Sequence, residues 1–342
     1  MMTSTRFDIP THLNATEPIE WTKGKRDQVR LMVMKRDNGE RYHDQFSNIA
    51  SYFKKGDLLV FNNSRTIPPV LEGKSPIGEV EIRLSRKLSN HEWEVLIVNP
   101  DYHIGLSIHF PGNLKGTIVD YSKNRPLVIM SFNQSGSNLF NAIYQIGKPI
   151  RYEYIKKPLP LEAYQTVYGT VPGSVELASA GRAFSWELLT ELKRKGIQIA
   201  FLSLHAGLSY YEKDRWPSPE EHPEPFNIPK ETADLINETK KQGGRVIAVG
   251  TTVVRALESA VNKFQTVESM DTVTNLYIYK GFSLKVVDGL LTGLHEPEAS
   301  HLDMLAAFIK EDFLFAAYEE AIHYNYLWHE FGDMNLILPG GQ

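Results

Sequence analysis

Gly250-Thr251-Thr252 stands between the β-branched apolar run Arg245-Val246-Ile247-Ala248-Val249 and the helical pattern Val253-Val254-Arg255-Ala256-Leu257-Glu258. An apolar strand broken by glycine and followed by a Thr cap makes a strand–turn–helix corner. Free N–H groups at a helix start favour anions, so Thr251, Thr252 and Arg255 are candidates to hold a carboxylate or phosphate. Arg255 and Glu258 are three residues apart and share a helix face, which adds Glu258 as a candidate acid or base. Taken alone, the corner reads better as a Thr cap plus a surface ion pair. Three other segments raise its weight, because each ends an apolar strand in polar, titratable side chains: Asn62-Asn63-Ser64-Arg65, Leu204-His205-Ala206-Gly207 and Gly293-Leu294-His295-Glu296-Pro297. Ligands gather at the carboxyl ends of parallel strands, so four such ends point to one shared pocket. His222-Pro223-Glu224 pairs a possible base with an orienting carboxylate, and Phe331-Gly332-Asp333 adds a further carboxylate before the last strand.

The elements that must position these groups fall into two patterns. Residues 1–70 hold an apolar run at Leu31–Met34, a helix-like stretch carrying Phe46, Ile49, Ala50 and Phe53, and the buried strand Leu58–Asn62. From about residue 150 the pattern becomes αβαβ. Ser185 caps a helix bearing Leu188, Leu189 and Leu192, the strand 197–203 delivers His205, and Gly243-Gly244 ends a helix before Arg245. A strand over Lys285–Leu291 then delivers His295, two helices span roughly 299–310 and 313–324, and a last strand lies near Asn335–Leu338. Such alternation predicts a mainly parallel, barrel-like α/β core. Residues 71–149 differ: short alternating runs at 79–84, 92–98, 106–110, 116–120 and 127–132 predict a small all-β barrel, closed by a helix over 137–146. The fold class is therefore a discontinuous α/β domain, 1–70 and 150–342, with an inserted β-barrel domain, 71–149.

Composition narrows the chemistry. The 342 residues include no Cys, which excludes disulfides and thiolate catalysis and fits a reducing cytoplasm. No His-x-x-x-His helix, phosphate-binding P-loop or dinucleotide fingerprint occurs, so no metal is expected. No run reaches membrane-spanning length. Net charge is −4, but residues 71–160 carry 11 Lys/Arg against 8 Asp/Glu, a local balance of +3 that leaves −7 for the rest. That asymmetry permits a phosphate-binding face.

Taken together, the segments resemble the S-adenosylmethionine:tRNA ribosyltransferase-isomerase family of queuosine biosynthesis. The resemblance rests on Gly56-Asp57-Leu58-Leu59-Val60-Phe61-Asn62-Asn63-Ser64-Arg65-Thr66-Ile67-Pro68, Tyr164–Tyr168, Arg245–Glu258, Gly281-Phe282 with Lys285–Thr292, and Phe331-Gly332-Asp333-Met334. It implies a reaction in which a ribosyl unit of S-adenosylmethionine moves to the aminomethyl group of 7-aminomethyl-7-deazaguanine in a tRNA anticodon, with release of adenine and methionine. It also implies an α/β domain interrupted by a β-barrel, with tRNA and S-adenosylmethionine as partners and a monomer or weak oligomer in the cytoplasm. A base must take a proton beside the sulfonium, and the departing adenine must be protonated. Groups titrating near neutrality serve best, so His205, His222, His295, Glu258 and Asp333 are the catalytic candidates. Thr251, Thr252, Arg255, Asn62, Asn63 and Arg65 are candidates for holding S-adenosylmethionine.

Several family patterns are altered. Pro-Thr-Ala-Gly-Leu-His-Phe becomes Ala178-Ser179-Ala180-Gly181-Arg182-Ala183-Phe184, so Ala183 replaces a His and Arg182 introduces a cation. Pro219 stands at the first His of a His-x-x-His-x-Glu element, and Thr-Asn-Phe-His-Leu-Pro becomes Thr292-Gly293-Leu294-His295-Glu296-Pro297, losing the Asn and gaining a carboxylate at Glu296. The basic loop of the inserted domain reads Asn99-Pro100-Asp101-Tyr102-His103. These changes keep open a different acceptor, lyase-type cleavage without one, or a non-catalytic relative.

Overall fold

Leu58-Leu59-Val60-Phe61 is apolar without alternation because the strand is covered on both faces, and all four side chains are buried. Around it, the computed structural model describes residues 7–98, 102–211, 222–297 and 300–340. Its elements begin with the helical turn α1 (Glu20–Lys23), then β1 (Arg30–Lys35), β2 (Arg41–Gln45), β3 (Leu58–Asn62) and β4 (Ser64–Thr66). There follow β5 (Val70–Ser75), β6 (Gly78–Lys87), β7 (Glu92–Ile97), β8 (Ser107–His109), β9 (Lys115–Tyr121), β10 (Val128–Phe132) and α2 (Gly136–Ile146). The chain continues with β11 (Val171–Ser174), α3 (Trp186–Arg194), β12 (Gln198–Leu204), β13 (Glu224–Ile228), α4 (Lys230–Lys241), β14 (Val246–Val249) and α5 (Thr251–Ser259). It ends with β15 (Met270–Thr274), β16 (Gly289–Gly293), α6 (Ser300–Phe308), α7 (Glu311–His323) and β17 (Met334–Leu338). The altered segments Asn99-Pro100-Asp101 and Pro219 lie outside the described residues.

One sheet of nine strands runs β15-β13-β12-β3-β14-β16-β17-β1-β2. Its centre, β12-β3-β14-β16, is parallel, as the αβ alternation predicts. Antiparallel pairs flank that centre, and the sheet is open, ending on β15 and β2, not barrel-like. Successive residues of β3 serve opposite faces. Leu58 and Val60 join α5, α6 and α7 in one core, while Leu59 and Phe61 meet α3 and the 3₁₀ turn Phe46–Tyr52 in the other. Each such apolar side chain contributes roughly 1.5–3 kcal/mol on burial. Ser185 caps α3 by accepting from the Leu188 N–H at 3.2 Å. At the amino end of the sheet, fully buried Asp57 accepts from Arg245 Nε (3.0 Å) and Nη2 (2.5 Å), which ties β3 to β14.

Strands β10-β7-β6-β5-β8-β9 close into a barrel around Ile82, Val95, Ile108, Ile118 and Met130. α2 adds Leu139 and Ile143 to that core, and Val175, Leu208 and Tyr211 join it from beyond the barrel. One strand expectation fails. Lys285-Val286-Val287 is not paired in the sheet, and β16 begins only at Gly289, because those three amides are directed at the Glu258 carboxylate instead.

Candidate active site

The parallel strands β3, β12, β14 and β16 release their last residues at one edge of the sheet. Met334 pairs with Gly293 and with Leu31, so β17 and β1 start at that edge. Asn62 ties the strand ends together. Its Oδ1 accepts from the N–H groups of Ser64 and Leu204 (both 3.0 Å), and its Nδ2 donates to the Leu204 carbonyl (2.9 Å) and Thr252 Oγ1 (3.3 Å). Ser64, held this way, lies 2.7 Å from His205 Nδ1. Gly173 closes over the same ring, since a Cβ there would come 2.7 Å from it. Burial, with the Lys87 charge in support, drives the His205 pKa down to about 4. The imidazole is therefore neutral at pH 7. Asn62 is a positioning group with all its capacity spent, whereas Asn63 keeps a buried Oδ1 with no partner.

At the neighbouring corner Gly250 adopts φ 103°, a conformation that favours glycine. It turns β14 directly into α5, with Thr251 and Thr252 as the first helical residues. One turn on, Arg255 donates through Nε to the Leu276 carbonyl (3.2 Å) and through Nη1 to Glu224, while Nη2 is buried and unpaired. An unpaired donor one turn from a helix start suits an anionic ligand group. His222, hydrogen-bonded to the Tyr211 hydroxyl, is pushed down to about 4 by burial and, among the charges around it, feels that of Arg255.

His295 bonds Thr292 Oγ1 through Nε2 (2.8 Å) and stacks on His301 with ring centres 4.7 Å apart. Burial and then the His301 neighbour lower its pKa well below the usual value. His301 is exposed to solvent, and its own pKa is lowered by desolvation on the stacked side and by the Arg255 charge. The Arg255 charge is thus felt by both His222 and His301.

Three candidates from sequence play other parts. Glu258 is buried, and its two oxygens accept from the amides of Lys285 (2.9 Å), Val286 and Val287 (3.0 Å each). It shapes the chain before β16. Asp333 accepts from the Arg30 amide (2.7 Å), the Arg30 guanidinium (2.8 and 3.1 Å) and the Leu327 amide (2.7 Å), which leaves it nothing to offer a ligand. Arg65 is exposed and reaches the Gly169 carbonyl. Arg182 is likewise consumed: buried, it forms a fork with Glu20 (2.6 and 3.1 Å) over the Phe331 ring.

Four groups escaped the sequence reading. Glu176, just past β11, accepts from the Ser209 amide and hydroxyl (2.7 and 2.8 Å), and burial pushes it up to about 7 against those bonds, with nearby Glu224 adding to the rise. Glu330 is also raised to about 7 by burial. His301 and His329 complete the set. Glu176 ends a strand, and Glu330 directly precedes Phe331-Gly332-Asp333; both positions were signals. Nothing in the spacing of His301 announces its stacking on His295. A small recess with room for about one water molecule lies beside Gly293 at the end of β16, with Ala183, Arg26, His329, Glu330 and Phe331 among its walls.

A mixed α/β protein with a barrel set into its chain, and with neutral imidazoles and protonatable carboxyls along its strand ends, belongs to the class built for acid–base chemistry on a ligand at a sheet edge. Comparison with known proteins gives the family. A family model described as queuosine biosynthesis protein matches residues 2–337. The S-adenosylmethionine:tRNA ribosyltransferase-isomerase of Carboxydothermus hydrogenoformans is 39% identical over 340 residues, covering 97% of this chain and 98% of its own. That of Aquifex aeolicus is 36% identical with the same coverage. A crystal structure of S-adenosylmethionine tRNA ribosyltransferase from Thermotoga maritima superposes with a TM-score of 0.55 at 30% identity, covering 98% of this chain and 99% of that one. The chain belongs to the queuosine biosynthesis protein family.

Proposed function

We propose that this protein is an S-adenosylmethionine:tRNA ribosyltransferase-isomerase. It transfers and isomerises the ribosyl moiety of S-adenosylmethionine onto 7-aminomethyl-7-deazaguanine in a tRNA anticodon and releases adenine and methionine. The observation that carries the reading is end-to-end similarity to proteins of that name, joined to strand ends that carry imidazoles uncharged at pH 7 and carboxyls that titrate near it. The reaction needs such a set. His205, positioned by Ser64 and uncharged, is suited to take the acidic proton beside the sulfonium. The helix start at Thr251-Thr252 with the open Nη2 of Arg255 suits the methionine carboxylate, and Asn63 Oδ1 is free to accept from a ribose hydroxyl. His295, backed by His301, and His222 stand ready for the amine proton.

Residues 71–149 act in this reading as an inserted unit that presents the tRNA to the cleft, and the enzyme works in the cytoplasm as a monomer or weak oligomer. Among the described residues no helix is long and apolar enough to cross a membrane. The test is mass spectrometry of products after incubation with S-adenosylmethionine, with and without tRNA bearing the deazaguanine amine. Adenine and methionine should appear only with that tRNA. Intact S-adenosylmethionine in its presence refutes the assignment, and adenine release without RNA favours cleavage or another acceptor.

A further inference from the structure

Residues 151–157 leave the barrel and pass over the edge where β17 begins, and two anchors hold them there. Ile155 is buried in one cluster with Tyr164 and Phe331. Tyr154 stacks flat on His329, with ring centres 4.0 Å apart and planes 10° apart. His329 is itself fixed: it keeps a left-handed φ of 73°, costly for a residue with a Cβ, and its Nε2 lies 3.0 Å from Asn14 Oδ1. The Tyr154 hydroxyl is buried with no hydrogen-bond partner, so ring stacking sets the place of this tyrosine. Tyr152 adds a third ring, 5.6 Å from Tyr154 and again 10° from its plane. Tyr152 and His329 share no ring contact, so Tyr154 lies between them and Tyr152 ends the column. Tyr152 is half-buried, and among the described residues no further ring meets it. Its pKa is raised well above the usual value by burial, with Glu176 and then Glu330 adding, which places it near two carboxyls of the strand-end site. In the same seven residues Arg151, Lys156 and Lys157 are exposed, and among the described residues no carboxylate pairs with them.

We propose that this strap is an RNA contact: Tyr152 stacks a base of the anticodon loop next to the reacting nucleotide, and Arg151, Lys156 and Lys157 face the loop's phosphates. The proposal rests on the function proposed above and names where that tRNA is held. A single-stranded loop offers unstacked bases, and an aromatic ring already fixed on its inner face can receive one with little further ordering. The column His329–Tyr154–Tyr152 is such a platform, and a base would extend it by one step. Phosphates call for cations that no carboxylate has claimed. The three cations of the strap, set against the single acid Glu153, belong to the stretch 71–160 whose balance is +3 while the rest of the chain carries −7. Aromatic platform and unclaimed cations thus occur together on one short segment, at the edge where the acceptor nucleotide has to arrive.

The test is binding of an unmodified anticodon stem-loop RNA to the full chain, followed by fluorescence anisotropy over a salt series. Tyr152→Ala should weaken binding about 5–150-fold, the loss of one stacked base. Tyr152→Phe, which keeps the ring, should stay within about twofold of wild type. Lys156→Gln with Lys157→Gln should flatten the slope of log affinity against log salt by about 1.4, at roughly 0.7 per phosphate contact on a single strand. Tyr152→Ala should leave that slope alone. S-adenosylmethionine affinity without RNA should hold in every variant, a readout that a general loss of structure would move. Tyr152→Ala binding RNA as wild type does, a double lysine variant with the wild-type slope, or a wild-type chain that ignores the stem-loop overturns the proposal. Wild-type release of adenine with substrate tRNA, matched by unimpaired strap variants, removes the strap and leaves the enzyme function standing. A chain that binds RNA through Tyr152 yet never cleaves S-adenosylmethionine keeps the strap and defeats the functional reading. Should Tyr152→Ala fail to fold, Tyr152→Leu, which keeps bulk without an aromatic face, decides in its place.

Discussion

Removing the Glu258 carboxylate separates a structural role from a catalytic one. In Glu258→Ala the amides of Val286 and Val287 lose their acceptor in a buried setting, and that of Lys285 loses it in a partly buried one. Each buried unsatisfied amide costs about 1–3 kcal/mol. Two such amides and a third at a discount amount to about 3–6 kcal/mol, offset in part because a carboxylate no longer has to be desolvated. A net loss of about 2–5 kcal/mol is a large share of a typical 5–15 kcal/mol stability. Urea unfolding followed by circular dichroism should show the loss, and hydrogen exchange should show protection vanishing first over residues 285–288, before β16. Glu258→Gln keeps one acceptor oxygen and should fall between wild type and Ala. A Glu258→Ala protein with unchanged urea midpoint and unchanged exchange, but with chemistry slowed a hundredfold, would refute this reasoning and return Glu258 to the catalytic set.

Other perturbations test the remaining assignments. Arg255→Ala should weaken S-adenosylmethionine binding by about 1.5–3 kcal/mol, roughly 10–150-fold by titration calorimetry; an unchanged constant removes Arg255 from the site. Arg182→Leu alone, which strands the Glu20 carboxylate, should cost about 2–4 kcal/mol, while Arg182→Leu with Glu20→Leu should recover most of it; additive losses in thermal melts contradict the paired role. Stability should also climb with pH between about 4.5 and 6.5. His205, His222 and His329 have folded values near 4, below the unfolded 6.5, so the unfolded chain binds more protons in that window and acid destabilises the fold. Glu176 and Glu330, raised to about 7, act in the opposite sense between about 4.5 and 7, but two carboxyls do not cancel three imidazoles. A urea midpoint that is flat or falling from pH 4.5 to 6.5 contradicts the burial of those rings.

Much of the fold was legible in local patterns. The runs at 79–84, 92–98, 106–110, 116–120 and 127–132 became barrel strands because alternation reports a one-sided core directly. Helix 137–146 appeared as Gly136–Ile146. The strand proposed over Lys285–Leu291 was wrong at its start, since Val286 and Val287 are apolar yet bond to a side chain 28 and 29 residues away. The proposed site was legible only in its positions. His205, Thr251, Arg255 and His295 lie at or just past strand ends, which sequence marks well. The bonds of Glu258 and Asp333 to backbone amides were not legible, because a carboxylate in a family block looks the same whether it faces a ligand or caps backbone amides. Glu176 and Glu330 gain their properties from what covers them, and no spacing encodes that.

The doorway of the barrel has a consequence of its own. The Val70 amide donates to the Lys148 carbonyl at 3.1 Å and the Lys148 amide returns a bond to Val70 at 2.9 Å, while Gln165 closes both hydrogen-bonding groups of Thr66. Chain enters and leaves side by side, so the sheet keeps its register whatever the length between those gates; the penalty for a longer excursion grows only with its logarithm. Material can thus be added to or trimmed from that excursion with little disturbance to the imidazole that Ser64 steadies six residues upstream of Val70.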